Sequence, residues 1–372
     1  MSKEQPIQRK DNTQISNNVN SAMNALKDAG MSGDMSAALS YAYHNAGSNP
    51  EEAVRYLETT PFINLPIVQY HLLLIAYFGG MEAESDKVAS KLVALTNQGV
   101  IESGLVLLSY LPAETGAFLY VAQHVKKLSP NIYRQLDLDR FLNINDVASS
   151  VDEVVEMVSA SLTACSAKLT MEASSLPIKV YENVLSAYES QYLITKFSGM
   201  LAPAMVVDPI TGKGIADSIR TNYIATIAPH MTDWITRKLE MMIADLTGTK
   251  ANEGEAFSLL RYEPGQEYKP HYDALNVGRD NTIYKDGGQR VKTALLYLNT
   301  VKDGGDTSFP KLNIKIAPVM GNLLVFPNTD RDGKVILDSY HAGEKTTETN
   351  KWLVTKWIRE NTTEYGRLLY GN

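Results

Sequence analysis

KWLVTKW, residues 351–357, reads as a β-strand: β-branched and aromatic side chains suit a pleated surface, and no glycine or proline interrupts the run. Strand side chains alternate, so Lys351, Leu353, Thr355 and Trp357 share one face. If that face is the inner one of a sheet, an ammonium lies among apolar neighbours, where a charge without a partner is strongly disfavoured. The economical reading is that Lys351 receives a carboxylate from a bound small molecule.

Upstream, EYKPHYDAL (residues 267–275) places His271 and Asp273 two apart. At one end of a short strand that spacing turns an imidazole nitrogen and a carboxylate oxygen to the same side, within reach of one ion. Taken alone the pair is a weak signal in a chain with six histidines. His341, read as the end of the strand-like VILDSYH, supplies a third donor from a distant segment. Two histidines and a carboxylate on one face of an ion leave positions open for a co-substrate and dioxygen, the arrangement of non-haem iron(II) sites. The other histidines, His44, His71, His124 and His230, sit in helical patterns without ligand spacing and read as structural or exposed.

A chain of 372 residues exceeds what one core usually serves, so two domains are expected. Residues 1–20, polar and rich in Asn, Gln and Ser, read as a flexible tail. Over 21–170 apolar residues recur at three and four, as in EEAVRYLETT and TGAFLYVAQHVKKL, predicting paired antiparallel helices with a weak resemblance to Sel1 or tetratricopeptide-type repeats. Over 175–372 the period changes. Ser186 opens a helix, HMTDWITRKLEMMIADLTG (230–248) forms another ended by Gly248, and short strand-like runs follow: FSLLRYE, VKTALLYLN, NIKIA, NLLVFP, VILDSYH and KWLVTKWI. Turns such as Pro264-Gly265 and Gly304-Gly305 separate them. The fold class predicted is α+β: an all-α N-terminal domain followed by a β-sandwich or jelly roll with flanking helices.

The net charge of −7 leaves no surplus of Lys and Arg to neutralise phosphates, so nucleic acid is not an expected partner. The single cysteine, Cys165, excludes an internal disulfide and fits a reducing compartment. No stretch has the length and apolarity of a signal peptide core or a membrane span, so a cytoplasmic location without membrane contact is expected.

Five separated motifs occur in order: YEPGQEYKPHYD (262–273), RVKTALLYL (290–298), GGDTSFP (304–310), GNLLVF (321–326), and HAG (341–343) followed by Lys351-Trp352 and Trp357-Ile358-Arg359. Together they resemble the prolyl 4-hydroxylase family of 2-oxoglutarate and iron(II) dependent dioxygenases, over about residues 175–360, which implies that the jelly roll is a double-stranded β-helix. The resemblance implies His271, Asp273 and His341 as iron ligands and Lys351 as the partner of the far carboxylate of 2-oxoglutarate. It implies Tyr262, Thr307 and Trp357 as further co-substrate contacts, and Tyr268, Arg290, Trp357 and Arg359 along a peptide groove. It further implies hydroxylation of prolyl residues in a peptide or protein, with release of succinate and carbon dioxide and support from ascorbate.

Two features depart from the family pattern or extend it. Glu344, Lys345, Thr346 and Thr349 stand where the family often has Pro-Val and a glycine before the lysine, which bears on substrate identity more than on iron. The polar connection 276–289 has the length of a mobile lid and is expected to order over a bound peptide. The alternatives are the same chemistry on another side chain or a small molecule, and a scaffold acting through a helical domain that binds a protein partner.

Overall fold

The computed structural model describes residues 9–372 except 144–146, 165, 174–175, 208–213, 216–217, 277 and 279. Cys165 therefore lies outside the described residues.

Among the described residues from Arg9 to Thr163 the chain is mainly helical, and most helices adjacent in sequence pack on one another. Their starts are chemically marked. Asp34, Asn49 and Thr115 each accept a first-turn N–H, and Ser150 with Glu153 forms a reciprocal capping box. The first helix, Arg9–Met31, begins inside the segment expected as a polar tail. Met23 and Leu26 pack against a small apolar cluster of the next three helices, and helical hydrogen bonding propagates back from that anchor.

The remainder forms two principal antiparallel sheets. In the larger, eight strands run in the order Lys168–Glu172, Lys179–Glu182, Leu323–Pro327, Arg290–Tyr297, Lys351–Arg359, Ser258–Tyr262, Tyr223–Thr226 and Ala202–Pro203. The smaller has four, in the order Ile314–Ile316, Thr307–Phe309, His341–Gly343 and Tyr268–His271. Leu260, Leu295, Tyr297, Phe309, Phe326 and Leu353 fill the space between them, giving a jelly roll. Two expectations change here. VILDSYH is not a strand: Leu337–Ser339 is a short 3-10 turn and His341 begins its strand instead of ending one, because Ile336 and Ser339 N–H groups are taken by the Asn328 and Ile336 carbonyls. The helix predicted over 230–248 starts at Trp234, where Asp233 caps it, and ends as expected at Gly248, whose φ of 64° suits only glycine without strain.

Between sheet and helical half lie two helices, Ala187–Phe197 and Trp234–Thr247. Trp234 is fully buried, stacks on Tyr77 at 4.7 Å between centroids and donates its Nε1–H to Tyr110 Oη at 2.9 Å. Tyr188 Oη donates to the Leu105 carbonyl at 3.0 Å. One apolar cluster accordingly runs from Tyr70 through Phe118 and Trp234 to Val354 of the large sheet. The change of sequence character near residue 170 is not a break in the core.

The strand Lys351–Arg359 carries this junction. Its even-numbered face turns to the helices, and there Lys356 Nζ meets Glu240 Oε1 at 2.5 Å with both side chains almost wholly buried. Tyr365 and Tyr370, at the C-terminus, donate their hydroxyls to the same carboxylate at 2.8 and 2.6 Å. Removing one partner leaves a buried charge uncompensated. Glu240→Gln is therefore expected to lower unfolding stability by about 3–5 kcal/mol in urea titrations, whereas Glu240→Leu combined with Lys356→Met recovers most of that loss.

Candidate metal centre

The metal-site geometry begins with strand register. His341 and His271 are direct cross-strand partners in the small sheet, which brings their rings to 4.3 Å between centroids. Asp273 lies two residues beyond His271, just past the strand end, on the same side. His271 Nε2 is 3.5 Å from Asp273 Oδ1, and His341 Nε2 is 3.6 Å from Asp273 Oδ2. One ligand atom from each residue lies within 4.8 Å of the other two, close enough to hold one ion.

The orientation of each donor is fixed by a second partner. His271 Nδ1 pairs with the Lys269 carbonyl at 2.8 Å and His341 Nδ1 with the Ser339 carbonyl at 2.9 Å. A protonated Nδ1 donating to a carbonyl leaves each Nε2 lone pair facing inward, as metal ligation requires. Tyr268 stacks on His271 at 3.4 Å, while Phe309 and Phe326 flank His341. Asp273 Oδ2 accepts from Thr293 Oγ1 at 2.7 Å, and Thr293 accepts in turn from Asn328 Nδ2 at 2.9 Å. Burial disfavours the Asp273 carboxylate, but the pull of His341 and His271 in their protonated forms, with that of Arg290, outweighs it and holds the carboxyl well below its usual range. Burial, with His271 adding to it, pulls His341 down to about 4. At neutral pH a neutral His341 imidazole thus stands beside an ionised carboxylate. The donor set fits a divalent ion that takes nitrogen and oxygen ligands.

This centre opens on a narrow cleft between the sheets, lined among others by Arg220, Tyr262, Thr307, Lys351 and Trp357. Lys351, Leu353, Thr355 and Trp357 all reach it, as the strand alternation requires. Lys351 is 1% exposed, and none of the ion pairs among the described residues includes it. Its Nζ lies 5.4 Å from the Tyr262 ring centroid and 5.7 Å from that of Tyr297, whose hydroxyl donates to Thr307 Oγ1 at 2.8 Å. Aromatic faces ease the burial of the ammonium without neutralising it. Burial draws its pKa down to about 8 against the pull of Asp306 and Glu344.

Placement of the remaining residues is uneven. Tyr268 and Trp357 line the cleft, and the buried Trp357 Nε1 has no protein partner among the described residues. Arg290 and Arg359 do not line it. Arg290 forms a two-pronged pair with Glu255 at 2.7 and 2.8 Å, and Arg359, 2% exposed, contacts the same carboxylate at 3.1 Å. Glu255 thus holds both cations beside the strand end, a partnership that motif spacing does not reveal. Three residues of this region escaped sequence reasoning: Arg220, whose guanidinium lies 4.8 Å over the Tyr268 ring, Tyr297, and the carboxylate-orienting Thr293. Thr293 and Tyr297 belong to the quoted motif RVKTALLYL; Arg220 had no motif to mark it.

Among the described residues of the connection after the ligand strand, two places are anchored. Gln289, 6% exposed, bonds Leu275 through both ends of its amide, and the turn Thr282–Lys285 is held by Arg359 through the Ile283 and Asp286 carbonyls. At the mouth, Asp303 Oδ2 accepts the N–H groups of Thr347, Glu348 and Thr349 at 3.0, 2.6 and 3.0 Å. These bonds hold the Asp303 carboxyl well below its usual range and fix the segment that leads into Lys351.

A family model described as the 2OG-Fe(II) oxygenase superfamily matches residues 257–359. Probable prolyl 4-hydroxylase 3 of Arabidopsis thaliana is 36% identical over 198 residues, covering 48% of this chain and 68% of the relative. Probable prolyl 4-hydroxylase 10 of the same plant is 34% identical over 199 residues, with the same shares. Among solved structures, a viral collagen prolyl hydroxylase from Paramecium bursaria Chlorella virus 1 aligns with a TM-score of 0.39 and 24% identity, covering 49% of this chain and 95% of that one.

Because Asp273 is oriented by Thr293, Thr293→Val should weaken divalent-metal binding about 10–100-fold while leaving the fold intact. Competition of cobalt(II) against a chelating dye measures this, and an unchanged affinity would show that the hydroxyl does not set the carboxylate.

Proposed function

The chain belongs to the prolyl 4-hydroxylase family of 2-oxoglutarate and iron(II) dependent oxygenases, and from that premise we propose that it hydroxylates prolyl residues of a peptide or protein. One observation carries the reading: an ammonium that is buried and, among the described residues, forms no ion pair lies in the same cleft as the His-Asp-His cluster. A molecule with a chelating end and a distant carboxylate meets both requirements at once.

In this reading His271, Asp273 and His341 hold iron(II). The metal and 2-oxoglutarate supply the oxygen chemistry: with dioxygen the keto acid is split to succinate and carbon dioxide, and one oxygen atom enters a C–H bond of the substrate. The protein's own part is positional. Lys351 receives the far carboxylate of 2-oxoglutarate, with the Tyr262 and Thr307 hydroxyls beside it, a charge-assisted contact strengthened by dry surroundings. Leu260, Leu295 and Leu353 line the cleft and keep water from that contact. Tyr268 and Trp357 flank the cleft as apolar walls for a pyrrolidine ring. Arg220 adds a cation to the same wall. The helical half is the part of the molecule suited to contact a protein substrate. Ascorbate supports turnover, and the setting is cytoplasmic.

Incubation with iron(II), 2-oxoglutarate and a panel of peptides tests the proposal. Proline-containing peptides should stimulate succinate release and gain one oxygen by mass spectrometry; if they do neither while another peptide or small molecule does, the prolyl assignment is wrong. Lys351→Met should raise the KM for 2-oxoglutarate about a hundredfold, because the buried carboxylate loses its partner. In the wild type that KM should climb as pH passes about 8, where the ammonium loses its proton.

A further inference from the structure

We propose that Glu255 is a positioning residue for the polypeptide substrate, through its simultaneous hold on the Trp357 wall of the cleft and on the turn 282–286. This rests on the prolyl-peptide reading above only for the role of the substrate.

Three contacts converge on the acid. Its backbone N–H donates to the Trp357 carbonyl at 2.8 Å, so its place beside that residue is set by the main chain. Its carboxylate grips Arg290 at Nε and Nη2, and Arg290 lies 3.8 Å over the centre of the Trp357 ring. One indole face is thereby occupied by a fixed planar cation, which pins the ring. The third contact is Arg359 Nη1 at 3.1 Å from Oε1.

Arg359 turns its other nitrogens to the loop. Nε donates to the Asp286 carbonyl at 3.0 Å, and Nη2 is directed at the carbonyls of Ile283 and Asp286. Those carbonyls end the short helix Thr282–Lys285, where a cation is favoured. Glu364 N–H donating to Asp286 Oδ1 and Asn361 N–H donating to the Gly287 carbonyl extend the same seam. The segment leaving Asp273 thus returns to the sheet through an arginine that Glu255 orients. The carboxylate holds two like charges side by side, with only 23% of its side chain exposed. Without it Arg290 and Arg359 repel, and neither the indole nor the turn keeps its place.

The test pairs hydrogen exchange with kinetics on full-length protein carrying Glu255→Gln, which keeps shape and removes charge. Protection at 282–288 should fall while strands 290–297 and 351–357 keep theirs. The KM for a turned-over proline peptide should rise about tenfold, with the KM for 2-oxoglutarate and cobalt(II) affinity unchanged. Wild-type exchange at 282–288, or peptide and 2-oxoglutarate KM rising together, overturns the proposal. Should Glu255→Gln fail to fold, Arg359→Lys decides: a lysine keeps the charge but cannot span both carbonyls, so unaltered protection at 282–288 there also overturns it. The exchange measurement needs no substrate, so it can fail while prolyl hydroxylation stands, and the converse also holds.

Discussion

The structure depends on one strand having two buried sides of opposite character. Lys351 and Lys356 are five positions apart, so alternation sends their ammonium groups to opposite faces of the large sheet. Lys356 is neutralised within the protein by Glu240, whereas Lys351 looks into the cleft past two tyrosine rings. A slip of one residue would exchange the two environments and strand a charge on each side. The register of the central strand is therefore set by electrostatics as much as by its apolar residues.

Around that strand the two sheets divide the work. The small sheet supplies all three potential ligands from a cross-strand pair and the residue two beyond it, while the large sheet supplies Lys351 at the cleft and the Thr293 hydroxyl that aims Asp273. Asn328 reaches Thr293 from an adjoining segment, so the orientation of one carboxylate is carried by residues from both layers of the jelly roll. Packing between the sheets thereby becomes a condition of the donor geometry. Pure hydrophobic burial would fix the sheets about as well, but it would leave the oxygen atoms free to rotate.

What could be read from the sequence follows from how local each signal is. Alternation in KWLVTKW and the spacing of His271 and Asp273 are properties of a strand alone, and the cleft residues on Lys351–Trp357 appear as read. Capping by Ser186 and the stop at Gly248 are equally local. The misreadings concern contacts that sequence distance hides. The pairing of Arg290 and Arg359 with Glu255, far upstream of both, is one such contact, and it leaves their expected place along a peptide groove untouched. VILDSYH has strand composition, but its hydrogen bonds are spent on the Asn328 and Ile336 carbonyls. Arg220 reaches the cleft by pairing its strand-edge position with Tyr268, a link no motif encodes. The helix Arg9–Met31 overrides a polar composition because its later turns have something to pack on.

The apolar cluster that passes unbroken from the helices through Trp234 into the sheet has a consequence for how such a molecule can change over time. A module joined by a linker can be exchanged or lost without rewriting its neighbour. Here the back of the sheet is written in residues that presuppose the helices, among them Val354, Leu296 and Ala225. Exposing the back of the sheet would require a new polar surface there, so the two halves of this chain are expected to unfold in a single cooperative transition on heating.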